Sequence, residues 1–511
     1  MNSPIPYPDC KTALMPSQSR FYPLFILLVA VMTLAFAWIG WLDSDDKNHL
    51  VGAFGWFEQF PYIATNHAAL RHTIAIPVGM SFRMLGVSEL SLIIPNLIQY
   101  FGIILMTWSF LRRSVNEQVA LVACLLIATV PVFPIFASVV FTETTELFYI
   151  ALSFWLFHSA TLSERKVGWL FAAGLSAGLG WLTRETTAAL LLLYGVLFLI
   201  GYGIPRRYYW VMAGGFLLIA GLEALAMGAL TGNPLYRYEV VLGKQGNILY
   251  KGGVDGDVFN RIGNVAVHPV LDPLLVLFAN HEFGLLFYAA IPAAIWCWRA
   301  PGLPIQQRNT LRLLTGCAII WFLFVSAVLT NLHQRYYTVC AYAATILIAA
   351  WLVHGLPRIN KYLPLVALAV LLSANILAIY IDNRSPLFGE RSLLEFAQQT
   401  DEDIYTDPST KRRALFFLTN AGIEDRIYVS TPPPDAVFFY NPNRAKHWAR
   451  THPEWTAYEP DDSPEIVWSK SEKRKLTGII LQRIGLQDKL PPSIYRRLNL
   501  PNLPVTVYRV Q

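Results

Sequence analysis

The sequence predicts an all-α polytopic membrane body of about eleven transmembrane helices, residues 1–381, followed by a small soluble α/β domain, residues 382–511. Three observations predict it. Of 511 residues, 54% are hydrophobic and only 14% are Asp, Glu, Lys or Arg, where a soluble domain of ordinary composition carries about 25%. The charges are unevenly placed: residues 382–511 hold 18 Lys/Arg and 17 Asp/Glu, about 27%, against about 10% in the first 381. The body is also built of apolar runs near the ~20 residues that a helix needs to cross the hydrocarbon core.

The runs read as spans are 21–42, 88–111, 117–138, 142–161, 167–183, 186–204, 209–230, 281–298, 310–330, 335–355 and 362–381. The first, Phe21 to Leu42, has no small-residue cleavage site before the acidic stretch that follows. It reads as an uncleaved span and not as a removable signal peptide. Residues 68–86 are apolar but carry Arg71, His72 and Arg83, so they read as an interfacial helix, and 271–280 is too short to span. Short loops that alternate in sign set the sidedness. Lys11/Arg20, Arg112/Arg113, Arg165/Lys166, Arg206/Arg207, Arg299/Arg308/Arg312 and Arg358/Lys361 mark one face; Asp43, Asp45, Asp46, Glu143, Glu146 and Glu185 mark the other. The N-terminus is expected in the cytoplasm, and an odd number of spans leaves the tail outside, in the periplasm of a bacterial inner-membrane protein. In the tail, 391–399 and 411–419 have helical spacing, while 403–406, 426–429 and 505–510 read as strands.

Several classes are excluded. No basic patch with interleaved aromatics suggests nucleic acid. The five cysteines form no CxxC pair, and the tail has none. No repeat of 20–50 residues and no matched pair of interrupted helices argues for a transporter. The polar features gather instead on the outer face, in loops 43–87 and 231–280 and in the tail.

Those features are the candidates for chemistry. Asp43, Asp45 and Asp46 follow span 1 directly, and clustered carboxylates raise one another's pKa towards the range of a general base; the alternative is a solvated helix end. His67 and Arg71 share a helix face at i, i+4, beside the acids, which suits a phosphate or a metal ion. Glu143 and Glu146 sit where a helix re-enters the membrane, costly unless paired or facing a cavity. Arg184, at the outer end of span 5, suits a lipid phosphate because a guanidinium binds phosphate oxygens bidentately; snorkelling is the alternative. His281 opens span 8, and His333 and Arg335 stand between spans 9 and 10.

In this order the segments resemble the GT-C superfamily of membrane glycosyltransferases, which includes protein O-mannosyltransferases and the lipid A aminoarabinose transferase. Asp45-Asp46 with Ala53 is similar to the family's acidic pair after the first span, with Asp in place of the usual Glu, so Asp43 is a rival for the catalytic position. NHAALRHT stands where the family has His-Pro-Pro-Leu. SVVFTETTELF, GLSAGLGWLTRE, HEFGLLFYAAIP and QRYYTVCAYAA are similar to its later segments. The resemblance implies a polyprenyl-phosphate sugar as donor and a glycan, lipid or protein hydroxyl as acceptor. It gives Asp45, Asp46 and Asp43 catalytic roles, and makes Arg184, Arg335 and Arg71 binders of the donor phosphate. Glu143 and Tyr336 would orient the acceptor, and His67 and His281 would be ligands if the reaction uses a divalent metal ion. No nucleotide cofactor is implied. Transfer would be inverting and on the extracytoplasmic face; the alternative from another class is a transporter or flippase of a lipid-linked sugar.

Overall fold

The computed structural model describes residues 21–241, 261–262, 265–266, 271–299, 302–328, 333–382, 386–444, 465–472, 475–491, 495, 498–499 and 502–510. The expected basic residues Lys11 and Arg20 lie outside the described residues, as does most of 242–270. The body is helical: α1 Phe21–Ala37, α2 Asp46–Glu58, α3 His72–Leu85, α4 Glu89–Ser114, α5 Glu117–Thr129, α6 Val132–Ala137, α7 Thr142–Leu162, α8 Lys166–Thr183, α9 Ala188–Ile200 and α10 Tyr209–Thr231. It continues with α11 Asp272–Ala279, α12 Leu286–Arg299, α13 Ile305–Val328, α14 Thr338–Ala350 and α15 Leu363–Asp382. Glu89–Ser114, Arg206–Thr231, Ile305–Val328, Gln334–Arg358 and Leu363–Ile381 are long and apolar enough to cross a membrane; Phe21–Ala37, Glu117–Thr129 and Glu185–Ile200 are apolar but shorter.

Two apolar runs are not the single helices expected. The run 21–42 is helical only to Ala37, because Gly40 adopts φ +78°, where a Cβ would also collide with the Glu89 carboxylate. The chain from Trp38 to Leu42 is therefore not helical. The run 117–138 breaks at Val130, which is extended before Pro131, and restarts as α6. Elsewhere small residues permit close helix packing: a Cβ on Gly174 of α8 would strike the Met212 carbonyl of α10. One continuous apolar core runs from Ile26 to Leu371.

The tail contains α16 Phe388–Ala397, α17 Pro408–Ala421 and α18 Leu476–Arg483. Its five-stranded sheet has the order β4-β3-β5-β7-β6 (β3 Ile404–Thr406, β4 Ile427–Tyr428, β5 Val437–Tyr440, β6 Ile466–Lys470, β7 Val505–Arg509), parallel around β3 and antiparallel around β7. A separate two-stranded pair, β1 Arg261–Ile262 and β2 Val265–Ala266, lies in the body. Asp407 caps α17 by accepting from the Ser409 and Thr410 amides, both at 2.9 Å, with Pro408 in the first turn. α17 then packs Phe416 on Trp41, with ring centroids 5.0 Å apart, so the tail and the segment after α1 share one small core.

Candidate active site at the mouth of the helix bundle

The three adjacent acids have three different environments. Asp46 opens α2 and folds back on the chain before it, accepting from the Leu42 amide at 2.7 Å and the Ser44 amide at 2.5 Å. It is fully buried, and burial pushes its pKa up to about 6 against those hydrogen bonds. Asp43 occupies the left-handed region, φ +54°, and is also buried; its carboxylate lies 3.6 Å from Arg413 of α17. Burial raises its pKa more than Lys47 and Arg413 lower it. Asp45 alone is open, its side chain 53% exposed, and it accepts from Arg335 Nη1 at 2.8 Å. Partial burial would raise its pKa, but the charge and hydrogen bond of Arg335 outweigh this and hold it below the usual value.

Arg335 begins a chain of ion pairs. It lies in the turn Gln334–Tyr337 that leads into α14. Its Nε is 3.6 Å from Glu143 Oε1, and the same oxygen accepts from Arg184 Nη1 at 3.0 Å. Arg184 also lies 3.5 Å from Glu146, which accepts a hydrogen bond from Thr186. The helical pitch explains the carboxylates: Glu143 and Glu146, at i, i+3, share one face in the first turn of α7. Arg184 is placed by the abrupt end of α8, where it is extended at φ −162°. Tyr336 stacks under the Arg184 guanidinium, 4.2 Å from the ring centroid, with Arg335 5.5 Å from the same ring.

Arg71 stands at the start of α3, within the fields of Glu143, Arg184, Glu185 and Arg237. Among the described residues it has no carboxylate within ion-pair distance, whereas Arg184 and Arg335 each have two. A hydrogen bond between Thr73 and Thr183, 2.8 Å, ties its helix to α8. The buried ring of His49 bonds the Ala68 carbonyl at 3.0 Å, and burial drives its pKa down to about 3. His67 neighbours that ring. His281 opens a short turn attached to the Arg335 turn by a 2.8 Å hydrogen bond from Gln334 to Glu282. A divalent ion needs converging ligands, and among the described residues no three His, Cys, Asp or Glu side chains converge to hold one. Among the described residues the donor set implied for a metal is therefore not assembled.

A second polar network lies beside the first. Arg237, 1% exposed, donates to Glu185 at 2.9 Å and to the Trp181 carbonyl at 3.1 Å, with Glu223 at 3.5 Å. It thereby caps the C-terminal carbonyls of α8 and holds the segment that carries Arg184. Sequence reasoning missed Arg237, Thr186 and Arg413. An arginine after an apolar helix and a threonine beside another carry no spacing signal, and Arg413 is one of three consecutive basic residues on an amphipathic helix.

Residues 75–228 match the family model for dolichyl-phosphate-mannose-protein mannosyltransferases. The fold is similar to that of ArnT from Cupriavidus metallidurans bound to undecaprenyl phosphate, at 13% identity over 84% of this chain and 94% of that one, TM-score 0.56. The apo state of that protein gives 12% identity over 85% and 95%, TM-score 0.52. A lesser likeness, TM-score 0.48, is to the Archaeoglobus fulgidus oligosaccharyltransferase in complex with Zn and sulfate, 13% identical over 80% of this chain and 62% of that one. No curated protein matches by sequence. The family-model match and the shared fold bear out the resemblance to GT-C glycosyltransferases read from the sequence.

Proposed function

We propose that this GT-C-type chain transfers a sugar from a polyprenyl-phosphate donor to an acceptor hydroxyl, with inversion, and that Asp45 is the general base. The observation that carries the reading is one open carboxylate, Asp45, clamped by Arg335 at the end of a buried charge chain, with Arg71 left without a carboxylate partner among the described residues. The acceptor oxygen attacks the anomeric carbon as its proton passes to Asp45. The bond from that carbon to the phosphate oxygen breaks, and polyprenyl phosphate leaves with the electron pair. Contrary to the rise expected from clustered acids, Arg335 holds the Asp45 pKa low, so the carboxylate is ionised at neutral pH and becomes basic enough to accept the proton as Arg335 turns away from it.

The phosphate gains charge as it leaves, so preorganised cations lower the barrier. Arg71 is the first of these. Arg184 and Arg335 are offset by Glu143, Glu146 and Asp45, and their role is to hold the site rigid until the phosphate arrives; Arg335 can turn from Asp45 towards it. Glu143 and Tyr336 orient the reacting groups by fixing both guanidiniums. An apolar cleft of about 250 Å³, lined by Phe287, Phe322, Cys340 and Ala344, lies along α14, the helix that the Arg335 turn leads into, and suits a polyprenyl chain.

In the same reading the eleven spans stand as counted, with the N-terminus cytoplasmic. The site and the 382–511 domain face the outside of a bacterial inner membrane. The test is release of polyprenyl phosphate by purified protein given a polyprenyl-phosphate sugar and cell-envelope acceptor. Asp45→Asn is expected to lower it at least about 100-fold with an unchanged unfolding temperature. Full activity in Asp45→Asn, with Asp43→Asn inactive, would move the base to Asp43. Movement of the donor across vesicles without release would instead support a flippase.

A further inference from the structure

The opposite end of the same helices carries a second polar cleft. α4 and α7 begin at the acidic mouth and end at Ser114 and Leu162; α8 runs back from Lys166. At a rise of about 1.5 Å per residue, the far end of α4 lies nearly 40 Å from Glu89. There α4, α7 and α8 leave an open cleft of about 510 Å³, whose lining includes Ser109, Phe110, Arg113, Leu156, Ser159 and Trp169. A neighbouring cleft of about 730 Å³ shares Trp169 and adds Arg165 and Lys166, with one acid, Glu164, so its charge remains positive.

The lining is divided by chemistry. Phe110 stacks on Trp155 with centroids 3.7 Å apart and, with Leu152 and Leu156, makes an apolar wall towards the middle of the bundle. Arg113 lies at the rim and is exposed, without an ion pair among the described residues. The hydroxyls of Ser109 and Ser159 line the same cleft and have no hydrogen-bond partner in the protein among the described residues. By contrast, Ser114 donates to the Phe110 carbonyl and Ser163 accepts from the Arg165 amide. Two hydroxyls without a protein partner and a guanidinium without a carboxylate, among the described residues, leave hydrogen-bond donors that an anion would accept from. Exposed Leu162, Val167 and Trp169 flank the opening as an interfacial belt does.

We propose that this cleft holds one anionic phospholipid of the leaflet at the basic end, separate from the donor site. Arg113 and the two serine hydroxyls take its phosphate, and Phe110 and Leu156 take the upper part of one acyl chain. Arg165 and Lys166 face the rest of the headgroup. A zwitterionic lipid fits the apolar wall equally well but brings its own cation towards Arg113, so the site discriminates by net charge.

The test is native mass spectrometry of the full-length protein in detergent with equal amounts of phosphatidylglycerol and phosphatidylcholine. Wild type is expected to retain one phosphatidylglycerol in preference to phosphatidylcholine. Arg113→Gln should lower that preference about ten-fold, the scale of one charge-assisted hydrogen bond, and Arg113→Lys should lower it less. Ser159→Trp fills the cleft and should remove the bound lipid altogether. Equal retention of the two lipids by wild type, or unchanged retention in both Arg113→Gln and Ser159→Trp, overturns the proposal.

Discussion

The Asp45–Arg335–Glu143–Arg184–Glu146 chain and the Glu185–Arg237–Glu223 cluster are neighbours built from the same residue types, yet they differ in what they can do. The first begins at a carboxylate that is half exposed and continues inward through alternating charges. The second is closed: its arginine is 1% exposed, Glu223 is almost as deeply buried, and two of the arginine's donors go to Trp181 and Glu185. Burying ions costs several kcal/mol each unless they are paired. Both networks meet that cost by pairing, but only the first leaves a charge where a substrate can reach it. In the proposed reading, it is the open end of a buried network, and not buried charge alone, that marks the candidate site.

Substitutions at the two arginines separate these roles most sharply. Arg335→Gln is expected to cost about 10²–10³-fold in turnover, the scale for losing a donor aimed at developing charge, with a small change in unfolding temperature. Arg237→Met should do the reverse. It leaves the buried Glu223 without its partner, a loss of about 3–5 kcal/mol, and frees the half-buried Glu185, while the protein that still folds keeps near-normal turnover. Thermal unfolding and polyprenyl phosphate release, measured on both variants, check the pair. An Arg237→Met protein that is stable but inactive would erase the distinction between the networks.

Arg71 lies between them and tests where the donor phosphate sits. The phosphate is already charged in the ground state, so Arg71 contributes to donor binding as well as to the transition state. Arg71→Gln should raise the donor KM about ten-fold or more, with the smaller share of the loss in kcat. A kcat defect at unchanged KM would instead place Arg71 with the positioning residues, beside Glu143 and Tyr336.

Much of this arrangement was legible in the sequence, for identifiable reasons. Apolar runs and alternating loop charge revealed the helices and put Asp45, Glu143, Arg184 and Arg335 on one face, since those signals depend only on residue type and spacing. The re-entry of a helix at FTETTE brought Glu143 and Glu146 to that face together. The sequence could not rank Asp43, Asp45 and Asp46, because the ranking comes from a positive φ at Asp43, the backbone amides around Asp46 and an arginine 290 positions away from Asp45. Nor could it show that Arg413 of the tail reaches Asp43, or that Gly40 ends the first helix early, because both depend on which surfaces meet after folding.

The contact between tail and loop gives a smaller effect. Arg413→Ala leaves the buried Asp43 carboxylate without its partner at 3.6 Å, two residues from the proposed base. The Trp41–Phe416 stack should keep the tail docked, so the loss is expected in kcat, a few-fold, with KM for the donor unchanged. Asp43→Asn should restore part of that loss in the Arg413→Ala background, because it removes the charge left unpaired. Equal additive losses in the double variant would show that the pair is not coupled to the base.

The smallest effect concerns Asp46 and separates a folding role from a catalytic one. Its pKa in the folded protein, about 6, lies above the usual carboxylate value because of burial. The folded state therefore holds the proton more tightly than the unfolded chain does, and stability from this group falls as pH rises from about 4 to 6. Asp46→Asn lacks that ionisation, but it also loses one of the two acceptors that serve the Leu42 and Ser44 amides. It should be less stable than wild type at pH 4, and the gap in unfolding temperature should narrow by pH 7. If Asp46 only folds the loop, turnover in Asp46→Asn should follow the folded fraction at each pH. A loss of turnover at pH 7 beyond that fraction would give Asp46 a direct part in the reaction and leave Asp45 as one of two acids at work.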